Sequence, residues 1–297
     1  MDLTFEEGTV VALGNFDGLH IGHMTVIRAA ENMAAKHSVK PYALIFDEHP
    51  VYILTGKKPP SLFSDIIKDN AFKNAGIHVF KLDFRDVCQM SPEAFFEKVI
   101  IGKMHAVGVC CGFNYTFGKG GSGNAKLLEN LCRKKGIEFS MSPEKDFEGE
   151  PVSSTRIRLA LEAGHTELAN SMLGRPFTYG GIVIDGDKRG RALGIPTINQ
   201  SLSPELIVPK YGVYMSKCNM QGETYYSVTN LGVRPTIGGN QASSETHILD
   251  FKGDLYGTYV EVSLLKYLRS EKKFQSIDEL KSQMEEDIQT VRGFITK

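Results

Sequence analysis

From Thr9 to Leu173, short apolar runs alternate with segments of helical period. Thr9–Leu13 is almost wholly apolar and predicts a strand buried on both faces. Ile21–His37 follows, with Met24, Ile27 and Ala30 or Glu31 marking successive turns of a helix. Tyr42–Phe46, His78–Leu82, Val107–Cys111 and Glu138–Met141 predict further strands, and Asn124–Lys135 a further helix. Ser91-Pro92-Glu93 opens another helix with a cap residue, a proline at the first position and an early acid. Strand–helix alternation of this kind predicts an α/β unit: a mostly parallel sheet covered on both faces, with ligands at the carboxyl ends of its strands.

After Pro176 the pattern changes to short alternating stretches between glycine-rich turns: 177–184, 212–218, 225–231, 246–251 and 259–265. In the last of these Val260, Val262 and Leu264 share one face, and Tyr259, Glu261 and Ser263 the other. That predicts an antiparallel sheet or small barrel. Ser276-Ile-Asp-Glu279 is a capping box that opens a closing helix, with Leu280, Met284, Ile288 and Val291 on one stripe. The expected boundary falls near Gly174–Tyr179, giving domains 1–176 and 177–297.

A chain of 297 residues suits two cores of this kind. The 41% apolar and 23% charged fractions are those of a globular chain. A net charge of −1 argues against a nucleic-acid binder that relies on a broad basic surface, and leaves room for small anionic ligands. Five cysteines without a CxxC spacing read as reduced structural thiols. The acidic start, with no basic and apolar leader, and the lack of a long apolar run set the expectation of a cytoplasmic protein with no membrane partner. Nothing in the pattern fixes an oligomeric state.

The chemistry concentrates in three strings. The first, Gly14-Asn-Phe-Asp-Gly-Leu-His-Ile-Gly-His23, lies between a predicted strand and a helix start. Free N–H groups and the positive end of the helix suit a triphosphate there. Gly14 and Gly18 permit close approach, and Gly22 leaves space beside His20 and His23. Such a site can align a nucleotidyl transfer and stabilise the leaving pyrophosphate without a covalent intermediate. The second, Val152-Ser-Ser-Thr-Arg-Ile-Arg158, opens a helix with hydroxyls and sets Arg156 and Arg158 one turn in, where guanidinium groups can grip phosphate. The third, Gly186-Asp-Lys-Arg-Gly-Arg-Ala-Leu-Gly-Ile-Pro-Thr-Ile-Asn199, is dense in glycine and cation, including Lys188 and Arg191, as a phosphate-embracing loop would be. Thr197 and Asn199 alternate along an extended segment and are hard ligands acceptable to Mg²⁺ in an ATP complex. Glu245, at the start of a strand, can accept the proton of an attacking hydroxyl. Gly118-Lys-Gly-Gly-Ser-Gly123 lacks the order of a P-loop and is read as a loop over a ligand or a plain hairpin.

These strings resemble the bacterial FAD synthetase family, the bifunctional riboflavin kinase/FMN adenylyltransferases, in order and over nearly the whole chain. The two histidines and the Ser-Ser-Thr helix are common to other nucleotidyltransferases. Their combination with Gly112-Phe-Asn-Tyr-Thr-Phe-Gly118, Leu173-Gly-Arg-Pro176, Gly232-Val-Arg-Pro-Thr236, Leu255-Tyr-Gly257 and Leu268-Arg269 narrows the resemblance. It implies a Rossmann-like nucleotidyltransferase domain followed by a β-barrel kinase-like domain. It also implies transfer of AMP from ATP to FMN, giving FAD and pyrophosphate, and phosphorylation of riboflavin by a second ATP, with Mg²⁺ in both steps. By the same resemblance His20, His23, Arg158 and Glu245 are catalytic. Gly14, Asn15, Phe16, Asp17, Gly22, Ser154, Thr155, Arg156, Gly186, Lys188 and Arg191 would surround ATP phosphates. His49, Asn114, Phe117 and Arg269 would meet flavin, and Thr197 and Asn199 the metal.

Three departures from the family pattern stand out. Ile45-Phe-Asp-Glu-His-Pro50 replaces a Thr-Phe-Asp-Pro-His-Pro-like string, Cys110-Cys111 replaces other residues, and Ile198 stands where the family has alanine in Pro-Thr-Ala-Asn. Ile198 makes its side-chain direction decisive, because crowding beside Thr197 and Asn199 would displace them. Two readings besides the bifunctional one follow: an FMN adenylyltransferase with an inactive kinase module, or a flavin-binding regulator. A nucleotidyltransferase for another phosphorylated acceptor is a fourth.

Overall fold

The computed structural model describes residues 8–186, 190, 193–220, 222–236 and 239–296. By internal contacts it forms two compact units, Met1–Pro59 with Lys68–Ser153, and Pro60–Ile67 with Ser154–Lys297. This partition runs between Ser153 and Ser154, upstream of the expected 176/177 boundary, and groups two helices, α7 (Ser154–Ala163) and α8 (Thr166–Leu173), with the strands that follow.

The first unit is a five-stranded sheet, all parallel, in the order β3-β2-β1-β4-β7. Its strands are β1 (Thr9–Leu13), β2 (Lys40–Phe46), β3 (His78–Leu82), β4 (Ala106–Gly112) and β7 (Glu138–Ser142). The short pairs β5 (Thr116–Phe117) with β6 (Gly123–Asn124), and β8 (Asp146–Phe147) with β9 (Glu150–Pro151), are separate hairpins. Every residue of β1 is buried, as its unbroken apolar run requires of a central strand. Helix α1 (Ile21–His37) covers the sheet through Val26, Ile27, Ala30, Met33 and Ala34, a stripe turned slightly from the expected one, with Met24 only half-buried. Helices α2 (Pro50–Thr55), α3 (Asp65–Asn74) and α4 (Phe84–Val87) were absent from the sequence-level expectation; α2 and α4 are four to six residues long and carry little periodic signal. The helix opened by Ser91 forms as α5 (Pro92–Phe95), its cap hydroxyl accepting from Ala94 N, and continues at wider π pitch over Phe96–Lys103. Helix α6 (Ala125–Lys135) starts from the expected Asn124, here its cap.

The strands of the second unit are antiparallel in the order β10-β15-β12-β13-β14-β11. They are β10 (Phe177–Ile182), β11 (Ile198–Ser201), β12 (Gly212–Met220), β13 (Glu223–Thr236), β14 (Gly239–Ile248) and β15 (Tyr259–Arg269). The two edges meet through the Ile184–Asn199 bridge and through Gln200, whose amide donates to Gly181 O and Val260 O. The sheet thereby closes as a barrel and leaves no long free edge.

Part of the barrel interior is polar. Ser216 Oγ lies 2.7 Å from both Ser227 Oγ and Thr229 Oγ1, and Thr229 Oγ1 lies 2.9 Å from Thr246 Oγ1, all four residues fully buried. Mutual hydrogen bonds are what make such burial tolerable. Helix α9 (Ile277–Ile295) closes the unit. Ser276 Oγ accepts from Glu279 N, and Glu279 reaches back to Gln275 N. Val291 and Ile288 pack on Met215, Leu249, Val228 and Leu268.

Candidate functional sites

The strand order of the first unit reverses between β1 and β4, so loops leaving their carboxyl ends flank the switch point, where such sheets bind ligands. Gly14–His20 leaves β1, and the Asn114 loop leaves β4. Phe16 and Leu19 are fully or nearly buried although their φ values are +50° and +37°, so packing holds the first loop in a conformation that side chains avoid. His20 caps α1, its Nδ1 accepting from His23 N at 3.3 Å. The imidazoles of His20 and His23 stack with centroids 3.6 Å apart and planes inclined by 17°. A Cβ on Gly22 would sit 3.2 Å from the His20 ring, so glycine keeps that ring against the helix start. His23 also meets the edge of Phe16, with centroids 5.4 Å apart.

Burial, and then the neighbouring His20, hold the His23 pKa well below its ordinary value. His23 is therefore neutral at pH 7, and its buried Nδ1 has no protein partner. A neutral imidazole at a helix start offers an N–H to phosphate oxygens without already carrying a charge that needs pairing.

Other expected residues of this unit fall around the same loops. The Asn15 side-chain amide meets His49 Nε2 at 3.2 Å, and His49 caps α2 by accepting from Val51 N. Pro50 occupies the first position of that helix, and Glu48, at the departure from the family string, pairs with Arg85 at 2.7 Å on the surface. Asn114 folds over Gly112. Phe117 is a core residue, 6% exposed between Phe95 and Tyr115, and anchors the loop from below. The Gly118–Gly123 stretch is the tip of the β5–β6 hairpin. Cys110 and Cys111 lie fully buried in β4, and burial pushes both thiols up to about 12. They are inert filling.

Ser154, Thr155, Arg156 and Arg158 occupy the first turns of α7, in the second unit, where Arg158 Nε donates to Pro60 O at 2.6 Å. Lys188 and Arg191 lie outside the described residues.

The second unit contains a cleft of about 140 Å³, open to solvent, between the barrel's outer face and α9. Thr197, Glu245 and Arg269 line it together. Cross-strand register explains the convergence: Glu245 stands opposite Asn199 on one side and Asn230 on the other, so the three share a face. Gly186 packs against Asn199: a Cβ there would sit 2.3 Å from that side-chain amide, so a larger residue would displace it. Ile198 pairs with Thr246, whose side chain is buried inside the barrel, and so belongs to the opposite face from Thr197, Asn199 and Glu245. The Ile198 side chain is half-buried there, on the face away from the expected ligands.

The sequence reading missed Asp287. It takes Arg269 in a bidentate pair, Nε to Oδ1 at 2.8 Å and Nη2 to Oδ2 at 2.7 Å, fixing α9 against the end of β15. Its only signal was an acid beside an apolar helix stripe. The cleft's apolar wall comes from Phe274, Leu280, Met284 and Ile288.

Comparison with known proteins agrees with this division. The FAD synthetase family model matches residues 2–156, and the riboflavin kinase model residues 173–295. The bifunctional riboflavin kinase/FMN adenylyltransferase of Bacillus subtilis is 38% identical over 95% of this chain and 90% of its own length. The Listeria monocytogenes protein of the same name is 35% identical over 97% and 93%, and that of Escherichia coli 31% over 97% and 93%. A solved structure titled as a macrolide-efflux protein from Streptococcus pneumoniae superposes with a TM-score of 0.90 at 32% identity, covering 98% of this chain and 96% of that one. Among the described residues no helix is long and apolar enough to cross a membrane. A two-domain match of this extent means that the chain belongs to the bifunctional riboflavin kinase/FMN adenylyltransferase family.

Proposed function

We infer that this protein makes FAD in two ATP-consuming steps, phosphorylating riboflavin to FMN and then joining FMN to AMP. The observation that carries this reading is that two chemically different groups lie in two separate compact units: a stacked pair of histidines at a parallel-sheet switch point, and, in the barrel, a carboxylate in a cleft with a threonine hydroxyl and in register with an asparagine.

In the adenylyl transfer, a phosphate oxygen of FMN attacks the α-phosphorus of ATP and pyrophosphate leaves. His20 and His23 donate hydrogen bonds to the phosphates as charge builds on them, and the Gly14–Asp17 loop supplies backbone N–H groups. Asn15, held by His49, and Asn114 orient the nucleotide and flavin, while Phe117 anchors the Asn114 loop. The family motif assigns Ser154, Thr155, Arg156 and Arg158 to this same step. In the kinase step, Glu245 takes the proton of the riboflavin 5′-hydroxyl as that oxygen attacks the γ-phosphorus of ATP. Arg269 and the apolar wall contributed by α9 hold the flavin, and Gly186 begins the loop over the nucleotide. The functional division of the chain is 1–176 and 177–297.

Mg²⁺ fits the second site. Thr197 and Asn199 are neutral oxygen donors on the face of Glu245, and no group of three His, Cys, Asp or Glu residues among the described ones is placed to hold an ion by itself. Such a donor set suits a cation that arrives on the nucleotide and keeps most of its ligands from phosphate and water. The ion supplies neutralisation of phosphate charge. Five free thiols suit a reducing, cytoplasmic setting.

The test is incubation of the purified chain with MgATP and either riboflavin or FMN, followed by chromatography of the flavins. FMN and FAD from riboflavin are expected. FAD from FMN with riboflavin untouched would overturn the kinase half; no FAD from FMN would overturn the adenylyltransferase half.

A further inference from the structure

His247 is the histidine of the second unit that reaches the cleft, and none of the roles assigned so far uses it. It stands two residues after Glu245 on β14, and therefore on the same face. The β11–β14 ladder pairs Asn199 with Glu245 and Ile198 with Thr246, and stops there. One step further the partner strand would need Pro196 and Thr197 to continue it. Proline has no N–H to give a ladder, and can contribute only its carbonyl. That carbonyl is taken by a side chain instead: His247 Nδ1 lies 2.8 Å from Pro196 O. A carbonyl can only accept, so Nδ1 carries the proton. The chain before Pro196 is held as well, since Ile195 N donates to Gly190 O at 2.8 Å. The peptide plane between Pro196 and Thr197 is thus fixed by an imidazole at the point where the backbone ladder gives out.

We propose that His247 is a positioning residue of the kinase reaction, whose Nδ1–H holds the Pro196 carbonyl and thereby aims Thr197 into the cleft beside Glu245. The inference rests on the roles given above to Thr197 and Glu245. Its logic is geometric: one bond sets the last free plane before Thr197, and alignment errors near 1 Å are costly in a phosphoryl transfer. Because the effect passes through Thr197, it falls on the nucleotide side of the reaction and leaves flavin binding alone.

The experiment compares H247A, H247N and H247Q in the full-length chain, with steady-state riboflavin phosphorylation and, on the same samples, FAD formation from FMN. Asparagine places an amide N–H near the position of Nδ1; glutamine reaches towards Nε2. H247A and H247Q are expected to lose about 10- to 100-fold in kcat/KM for ATP, with the KM for riboflavin and the FAD-forming activity unchanged. H247N is expected to recover most of that loss, because it restores the donor. An H247A enzyme with ordinary kinase kinetics would overturn the proposal. So would H247N no better than H247Q, or a loss of both activities together, which would mark a residue that serves folding alone. E245Q, assayed in parallel, tests the underlying assignment separately: full kinase activity in that variant would refute the role of Glu245 while leaving the His247 series readable through the KM for ATP.

Discussion

In the first unit, the stacked imidazoles of His20 and His23 come from one stretch of chain at the start of α1, four positions from end to end. In the second, Thr197, Glu245 and Arg269 come from three separate places, the entry to β11, the middle of β14 and the end of β15, and they face a common cleft only because the barrel closes. The histidine pair is local and is preorganised by a helix start, a cap and a buried phenylalanine. The second is assembled, and depends on cross-strand register and on a helix held in place by an ion pair. A contiguous site fails through its own residues. An assembled one can also fail through residues that hold its elements in place, such as Asp287.

The sharpest way to break this comparison is to remove one site and watch the other. His23→Ala should lower FAD formation from FMN by about 10³-fold, and leave riboflavin phosphorylation intact, as read by flavin chromatography. Glu245→Gln should do the reverse, with a loss of about 10²-fold or more in riboflavin phosphorylation and ordinary FAD formation from FMN. If either change depresses both activities equally, the two-site division is wrong.

The dependence of the second site on its supports is tested by Asp287→Ala. This leaves the guanidinium of Arg269, 18% exposed at the side chain, without its partner. A cost of about 3 kcal/mol to the second unit is expected, visible in urea as loss of kinase activity at a lower concentration than in the wild type. Loss of kinase activity at the wild-type midpoint would count against the pair as the anchor of α9.

The smallest effect concerns protons. The pKa of His23 in the folded chain lies below the unfolded value of 6.5, so the unfolded chain binds the extra proton first. Stability should be unaffected by this group above pH 6.5 and should fall as the pH drops below it, by at most about 1.4 kcal/mol per pH unit. His23→Gln should flatten that slope in denaturant titrations, and an unchanged slope would contradict the burial of a neutral imidazole.

How legible each region was in the sequence follows the same line. Helix α1 occupies the expected Ile21–His37, and β1 and β3 the expected Thr9–Leu13 and His78–Leu82, because apolar runs and helical periods are properties of adjacent residues. The capping box at Ser276 is local in the same sense. By contrast β14 begins at Gly239, well before the expected Thr246, over a polar stretch that no apolar alternation marks. The reason lies inside the barrel, where Ser216, Ser227, Thr229, Ser244 and Thr246 take positions that a hydrophobic pattern would reserve for aliphatic side chains. Their hydroxyls satisfy one another only once the strands are paired.

Residue type and order along the chain determined that a loop bearing glycine and histidine would precede a helix, that a parallel unit would be followed by an antiparallel one, and to which family the chain belongs. Local interactions set those features, and local interactions are written in neighbouring residues. Only the tertiary structure decided that Ile198 shares the face of Thr246 while Thr197 and Asn199 share that of Glu245. The same holds for Phe117 as an anchor, for Asp287 in locking Arg269, and for His247 at the Pro196 carbonyl. Each of those outcomes depends on which strand lies beside which and in what register, and that is fixed by closure of the whole barrel or packing of the whole sheet.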